Sequence, residues 1–202
     1  MRNASKFPIG ALLPFLLVPA LVAWHAATTP MQIDAASRLW VKGTSSVRGF
    51  ECQAAVFDAQ VASAGADAVA AVLAGEKGVQ AVQVTVAADK LDCRNGTMNG
   101  HMLKAIKASE HPTITFALTS YDLARVDDSL RVEMKGALTL GGMTNEIVVN
   151  ATAKPGPDNT LQVAGTHVLS MKDYGLKPPS LMLGTMKVHD KLTVGFDLIL
   201  KN

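Results

Sequence analysis

The amino-acid sequence predicts an all-β domain, and three observations support this fold class. Most of the chain beyond residue 28 consists of short segments in which apolar and polar residues alternate with a period of two. Clusters of glycine, proline, asparagine and aspartate separate these segments. Helical periodicity is confined to two short stretches. Many short alternating strands with turn signals between them are typical of a β-sandwich or a closed barrel.

The clearest strands lie in the C-terminal half. Over Leu130–Leu140, apolar residues alternate with charged residues and threonine, as expected for a strand with one buried face. Gly141 and Gly142 then supply a turn into a second strand, Glu146–Ala153, so a β-hairpin is predicted. The same test indicates further strands, about eight in all: Leu39–Ser45, Phe50–Phe57, Val82–Val86, Ile114–Thr119, Leu161–Leu169 and Leu192–Leu200.

Two segments break the β pattern and are predicted to be short helices. The first is Thr97–Ser109, which Asn95–Gly96 precedes and Pro112 follows as boundary signals. The second is the alanine-rich stretch Ala66–Ala74. In the first segment, apolar residues recur at i, i+4, i+7 and i+8: Met98, Met102, Ala105 and Ile106.

Residues 1–27 are predicted to be an export signal peptide. Arg2 and Lys6 precede an uncharged apolar run, Phe7–Ala23, and small residues suited to cleavage follow at Ala26 and Ala27. An uncleaved membrane anchor is the alternative. Both interpretations place the domain of residues 28–202 outside the cytoplasm, in the periplasm or secreted.

The chain contains two cysteines, Cys52 and Cys93. An even count in an oxidising compartment favours a disulfide between them. A reactive thiol or a metal ligand is the alternative, but neither cysteine has a second cysteine or a histidine at ligand spacing. We therefore predict a structural bridge.

Charge and motifs argue against several classes of function. The formal net charge is only +2 and no basic stripe occurs, so nucleic-acid binding has no support. The common hydrolase, zinc-protease and phosphate-loop motifs are missing, and no two of the five histidines are spaced as ligands on one helix or strand. We predict a protein that is not an enzyme and has neither a metal nor a cofactor. A hydrolase without a recognised motif would need two titratable side chains that converge in a pocket.

The last long loop, Met171–Gly184, is apolar for a connection between strands. Such a loop either lines the mouth of a ligand site or plugs the end of the fold, and the sequence leaves both open. Adaptable thioether side chains recur on this loop, just after it and on the predicted helix: Met98, Met102, Met171, Met182 and Met186.

The sequence resembles the YceI family of exported lipid- and polyisoprenoid-binding proteins. The resemblance rests on ordered stretches spread over nearly all of the chain after the signal: Trp40–Phe50, Asn99–Lys107, His111–Phe116, Gly136–Thr144 and Asp173–Pro179. It implies a lipocalin-like, eight-stranded antiparallel β-barrel with one or two short helices over residues 28–202. It also implies a long apolar pocket for a polyisoprenoid or similar amphiphile, since a barrel of this size is either filled or holds one slender ligand.

On this interpretation, the inward phase of the strands forms the wall of the pocket. The wall is predicted to contain Phe116, Met134, Val149, Phe196 and Leu198. Small residues on the same phase are expected to leave room along the axis: Gly136, Ala151 and Gly165. A polar head group needs polar or cationic partners at the mouth, and the candidates are His101, Lys104 and Lys177.

Two hypotheses of function remain. The first is a periplasmic binding or carrier protein for a polyisoprenoid or similar apolar amphiphile. The alternative is a solid-core stress-protective or interaction module without a small ligand. Apart from the lipid-like ligand, a membrane-associated protein and a second copy of the chain are the partners considered.

Overall fold

A computed structural model describes residues 29–181 and 185–202 of the chain. The predicted signal peptide, residues 1–27, lies outside the described residues, as does Met182. The α-helices are α1 (Ala68–Leu73) and α2 (Gly96–Ala105). The strands are β1 (Thr29–Ile33), β2 (Arg38–Thr44), β3 (Gly49–Ala54), β4 (Asp58–Ser63), β5 (Val79–Ala87), β6 (Leu91–Asp92), β7 (Thr113–Val126), β8 (Ser129–Leu140), β9 (Met143–Pro155), β10 (Leu161–Ser170), β11 (Ser180–Leu181), β12 (Met186–Lys187) and β13 (Lys191–Lys201).

The strands close into an antiparallel barrel with eight strand positions. Three positions are each occupied by two consecutive strands, namely β1 with β2, β3 with β4, and β5 with β6. The other five are β7, β8, β9, β10 and β13, and β13 closes the barrel by pairing with both β1 and β2. Neighbours in the barrel are therefore neighbours in the sequence. The predicted lipocalin-like, eight-stranded barrel is confirmed, and the sandwich is wrong.

The divided positions behave as single strands with a local interruption. The ladder of β1–β2 against β3–β4 runs from Thr44 opposite Gly49 to Thr29 opposite Ser63, with almost the same register on both sides of the break. At the break, the Asp34 carboxylate accepts a hydrogen bond of 2.9 Å from the Ala36 backbone N–H, which holds a tight turn. The interruption therefore leaves the order of the strands around the barrel unchanged.

Tight turns between strands are formed by glycine and aspartate residues with positive φ. Gly141 and Gly142 form the two-residue loop between β8 and β9 with φ of 57° and 83°, the left-handed values that a hairpin turn of this kind requires. Asp127 takes a φ of 52° in the loop between β7 and β8. Asparagine and aspartate tolerate this conformation better than other side chains.

Both predicted helices are present and are shorter than expected. Helix α2 begins where the Asn95 side chain accepts a hydrogen bond of 3.0 Å from the Met98 backbone N–H. It ends before the predicted Ser109, because Lys107 adopts a left-handed φ of 56°. Helix α1 is followed by Gly75, whose φ is 88°.

Strand β4 and most of the length of β7 were missed by the alternation test. The inward residues of β4 are Ala59, Val61 and Ser63, so a single large apolar side chain marks its buried face. Strand β7 continues to Val126 through a bulge between Leu118 and Ser120, which interrupts the period of two. A test for strict alternation does not detect strands with small inward residues or a bulge.

The apolar core is divided between the two ends of the barrel. At one end, α1 packs on residues that include Met31, Val61, Tyr121 and Leu130. At the other end, Ile106 at the C-terminus of α2 packs with residues of the last loop. Within the described part of the chain, no helix is long and apolar enough to cross a membrane.

Candidate functional site

The interior of the barrel contains a cavity of about 480 Å³. Ligand pockets in proteins typically measure roughly 300–1,000 Å³. Apolar side chains from all eight strand positions form its wall, because the inward phase of the strands is almost entirely aliphatic or aromatic. The barrel is therefore not a filled core.

Helix α1 closes one end of this cavity. Val69 and Val72 of α1 are 4% exposed and pack inside the barrel, and Val72 lines the inner end of the cavity. The hydroxyl of Tyr121, a wall residue at this end, accepts a hydrogen bond of 3.0 Å from the Val79 backbone N–H. Its polar atom is thereby satisfied within the wall, and the closed end presents an apolar surface.

The other end carries the mouth, which is built from three segments. These are the turn between β2 and β3, helix α2, and the end of the last loop with the residues that follow it, represented by Pro179 and Met186. The polar residues that line the cavity are concentrated towards this end: Ser45, Arg48, Asn95, Thr97, His101, Thr115 and His167. The cavity is thus apolar at α1, and its few polar groups lie towards the mouth, among apolar residues such as Met98 and Pro179.

The disulfide and a polar cluster hold α2 against the mouth. Cys52 of β3 is bridged to Cys93, which directly follows β6, so the predicted disulfide is confirmed. The Asp92 carboxylate accepts hydrogen bonds from the Arg94 backbone N–H at 2.8 Å and from Asn99 Nδ2 at 2.9 Å. Both bonds lower the pKa of Asp92 below its ordinary value, and the bond from Asn99 has the larger effect.

Helix α2 also contacts the disulfide directly. Sγ of Cys93 lies 3.8 Å from Sδ of Met102, and both residues line the cavity. The inward side of α2 therefore forms part of the ligand-facing wall. The predicted positions of Met98 and Met102 on one helical face are consistent with this arrangement, since both line the cavity.

The last loop acts both as a plug and as a lining of the mouth. Its first half buries Met171, Tyr174 and Leu176 in the core at the α2 end, where burial raises the pKa of the Tyr174 phenol. Met171 and Pro179 of the loop line the cavity, as does Met186 just after it. The loop thus has both of the roles that the sequence left open, and Met171 takes part in each.

Asp190 anchors the base of this loop. Its carboxylate accepts a hydrogen bond of 2.7 Å from the Ser170 hydroxyl and one of 3.0 Å from the Lys172 backbone N–H. The pKa of Asp190 lies below its ordinary value, with the Ser170 bond as the largest cause. The backbone that carries Met171 and Tyr174 is therefore held to the start of β13.

The five apolar residues predicted for the wall all line the cavity: Phe116, Met134, Val149, Phe196 and Leu198. Gly136 and Gly165 are placed differently from the expectation, and their role needs correction. A Cβ at Gly136 would lie 2.6 Å from ring carbons of Phe116, and one at Gly165 would lie 2.7 Å from Cζ of Phe196. Aromatic rings already occupy the space above both glycines. The two glycines therefore make room for the rings of Phe116 and Phe196, which belong to the wall, and not for a ligand.

The three residues predicted for the head group divide into one that lines the cavity and two that do not. His101 on α2 is half-buried and lines the cavity. Lys104 is exposed and borders a separate, shallow surface depression near Pro112. Lys177 is exposed on the last loop and is not part of the wall. Neither lysine is part of the wall, and contact of either one with a head group stays a prediction.

Sequence reasoning missed most of the polar residues of the wall, among them Arg48 and His167. Arg48 lies in the turn between β2 and β3, and no local pattern shows which way a turn residue faces. His167 lies on the apolar phase of β10, and this phase is the signal in the sequence that marks an inward histidine. Its Nδ1 lies 3.0 Å from the Val148 carbonyl oxygen, just beyond the point where the β9–β10 ladder ends. Because a carbonyl only accepts, Nδ1 carries the proton of this hydrogen bond.

Among residues 29–181 and 185–202, no three side chains of histidine, cysteine, aspartate or glutamate are grouped so that they could hold a metal ion.

Comparison with known proteins identifies one family, and solved structures share the barrel fold described above. The family model described as YceI-like domain matches residues 26–200. No curated protein is significantly similar to the chain in sequence.

Several solved structures share the fold. BcnA of Burkholderia cenocepacia superposes with a TM-score of 0.63 at 18% identity, covering 83% of this chain and 99% of BcnA. A polyisoprenoid binding domain from Saccharophagus degradans, implicated in plant cell wall breakdown, gives a TM-score of 0.59 at 12% identity, covering 88% of this chain and 99% of that domain. A Campylobacter jejuni YCEI protein gives 0.56 at 16% identity, covering 95% and 99%. At these identities the similarity establishes the fold.

Proposed function

The chain belongs to the YceI-like domain family, and from this premise we propose that it is an exported binding protein that holds an apolar, chain-like amphiphile inside its barrel. The observation that carries the proposal is the cavity of about 480 Å³, which is apolar at its closed end and has its few polar groups towards the mouth. An amphiphile has the same division, with an apolar chain and a polar head.

The energetics favour a long apolar chain as the ligand. Burial of apolar surface contributes roughly 0.8 kcal/mol per methylene group, so a chain that fills the tunnel binds tightly without many polar contacts. The tail points towards Val72 of α1 and the head remains near α2 and the last loop. The polyisoprenoid binding domain of the Saccharophagus degradans structure shares this fold, which makes a polyisoprenoid the first ligand to test.

The disulfide supports export to an oxidising compartment. Disulfides such as Cys52–Cys93 persist in the periplasm or outside the cell and are rare in the cytosol. We therefore place the mature protein in the periplasm or among secreted proteins. A ligand of this kind is nearly insoluble in water, so its source and its acceptor are membranes or membrane-associated proteins.

Binding is a better description of the site than catalysis. Among the cavity-lining residues that the structure describes, there is no aspartate, glutamate or lysine. The two lining histidines, His101 and His167, therefore have no acidic partner within the wall. General acid–base catalysis commonly relies on neighbouring groups that position the histidine and tune its pKa, and the wall supplies no carboxylate for this purpose.

Extraction with organic solvent followed by mass spectrometry tests the proposal. Protein purified from the periplasm should release an apolar amphiphile in a near-stoichiometric amount. After removal of that lipid, the protein should take up geranylgeraniol. An extract without lipid, combined with no uptake of this prenol, would rule out the carrier function and leave a module that works without a small ligand.

A further inference from the structure

The cavity wall carries positive charge and no negative charge among the residues that the structure describes. Arg48 is the only lining residue with a permanent charge among those that the structure describes, and no described carboxylate lines the cavity. An arginine side chain remains protonated at any ordinary pH. The mouth therefore carries positive charge that the wall does not neutralise.

Arg48 is held at the mouth by an ordered turn. The Ser45 Oγ accepts a hydrogen bond of 3.1 Å from the Arg48 backbone N–H, and the Ser45 backbone N–H donates to the Arg48 carbonyl at 2.9 Å. The turn is tied in addition to β12, just after the last loop, because the Ser46 backbone N–H donates to the Lys187 carbonyl at 2.9 Å. Two of the segments that form the mouth are thus fastened together beside Arg48.

The guanidinium group of Arg48 is available for a ligand. No ion pair or side-chain hydrogen bond joins it to another residue in the described part of the chain. The acidic residue nearest to it in the sequence, Glu51, is paired with Lys42 at 3.3 Å. Other arginines differ in this respect: Arg38 pairs with Asp197 at 3.0 Å, and Arg125 donates to the Leu73 carbonyl at 2.7 Å.

The remaining polar lining of the mouth is compatible with an anion. Asn95, which caps α2, and Thr97 in its first turn line the cavity, and the N-terminus of a helix carries partial positive charge. His101 follows one turn later on the same helix. The guanidinium itself is planar and forms paired hydrogen bonds with a carboxylate or a phosphate.

We propose that the ligand carries an anionic head group, a carboxylate or a phosphate, and that Arg48 binds this group at the mouth while the apolar chain fills the barrel. This inference rests on the proposed function and adds the chemistry of the head. Fatty acids and prenyl phosphates both have this chemistry.

Binding of matched ligand pairs to the delipidated protein tests the inference. The pairs are palmitate against hexadecanol, and geranylgeranyl phosphate against geranylgeraniol, so that within each pair the apolar chain is constant and the charge of the head differs. The anionic member should bind about tenfold tighter, which corresponds to ~1.4 kcal/mol. The pair with the greater affinity identifies the class of chain.

Arg48→Gln should weaken the anionic ligands by about tenfold and leave the alcohols unchanged, because only the charge at the mouth is removed. The matched control is Arg131→Gln, since Arg131 is exposed on the outer face of β8. Added salt should weaken the anionic ligands of the parent protein more than those of Arg48→Gln.

Equal affinity for the acid and the alcohol, or unchanged affinity in Arg48→Gln, would overturn the anionic head while leaving the carrier function in place. Binding of none of the four ligands would instead overturn the proposed function.

Discussion

The ring of Phe196 covers Gly165, its directly opposed partner in the β10–β13 ladder, so closely that a Cβ at position 165 would lie 2.7 Å from Cζ of Phe196. The same relationship recurs where Phe50 covers Gly43, its own cross-strand partner. In each case an inward aromatic ring takes the space that the missing side chain leaves. The aromatic part of the wall is therefore positioned by glycines on neighbouring strands.

Gly165→Ala should destabilise the fold. The new methyl group would also approach the Asn150 carbonyl oxygen at 2.8 Å, and backbone cannot move aside as easily as a ring. We expect a loss of roughly 1–3 kcal/mol in the free energy of unfolding, measured by urea denaturation. The control is Gly100→Ala, at an open position of helix α2, which should stabilise by about 0.5–1 kcal/mol. Equal stability of Gly165→Ala and the parent would show that Phe196 moves freely.

Val84→Phe should reduce ligand binding by filling the cavity. Val84 is a half-buried residue of β5 that lines the cavity, so the larger ring can extend into space that the parent protein leaves open. We expect at least about tenfold weaker uptake of geranylgeraniol, with a change in unfolding free energy of no more than roughly 1–3 kcal/mol. Gln83→Phe places the same ring on the outer face and should bind like the parent. Undiminished uptake by a folded Val84→Phe protein would place the ligand outside the barrel.

Loss of the disulfide should lower stability. The bridge joins residues separated by 41 positions, for which the chain-entropy model gives roughly 4 kcal/mol. The double variant Cys52→Ala, Cys93→Ala should show this loss in urea denaturation. Dithiothreitol should destabilise the parent and leave the double variant unchanged. Thiol labelling of both cysteines in denatured, unreduced periplasmic protein would contradict the bridge.

The anchor of the last loop at Asp190 should weaken in acid. The pKa of Asp190 is lowered in the folded protein, so its contribution to stability is present above the pKa of the unfolded chain and disappears as the pH falls through the folded pKa. Carbon-13 NMR of the carboxyl group should show a titration below that of an aspartate in the urea-unfolded protein.

Asp190→Ala should remove this contribution at neutral pH. The Lys172 amide, which donates to the carboxylate, should then exchange its hydrogen faster. Glu110→Ala, at an exposed carboxylate, should leave that exchange rate unchanged. An Asp190 titration that coincides with the unfolded value would show that the two hydrogen bonds do not favour the charged form.

Much of the barrel was predictable because its signals are local. Over Leu130–Leu140, the polarity of each residue indicates whether it faces the interior or the outside of the barrel. The hairpin that follows depends on Gly141 and Gly142 alone. Strand β4 was not predictable in this way, because Ala59 and Ser63 are too small to mark a buried face. Pairing with neighbouring strands determines the conformation of such a segment more than its own sequence does.

The sequence by itself determined the alternation of the strands, the two helices, the pairing of Cys52 with Cys93 and the apolar wall around Phe116, Met134 and Val149. Each of these follows from the period of a single segment or from the number of cysteines. Only the tertiary structure decided that Gly165 lies beneath Phe196, that Lys104 and Lys177 are not part of the cavity wall, and that Arg48 lines its mouth. These relationships depend on register between strands and on the direction of turns and helix faces at the rim of the barrel, where no repeating pattern constrains a side chain.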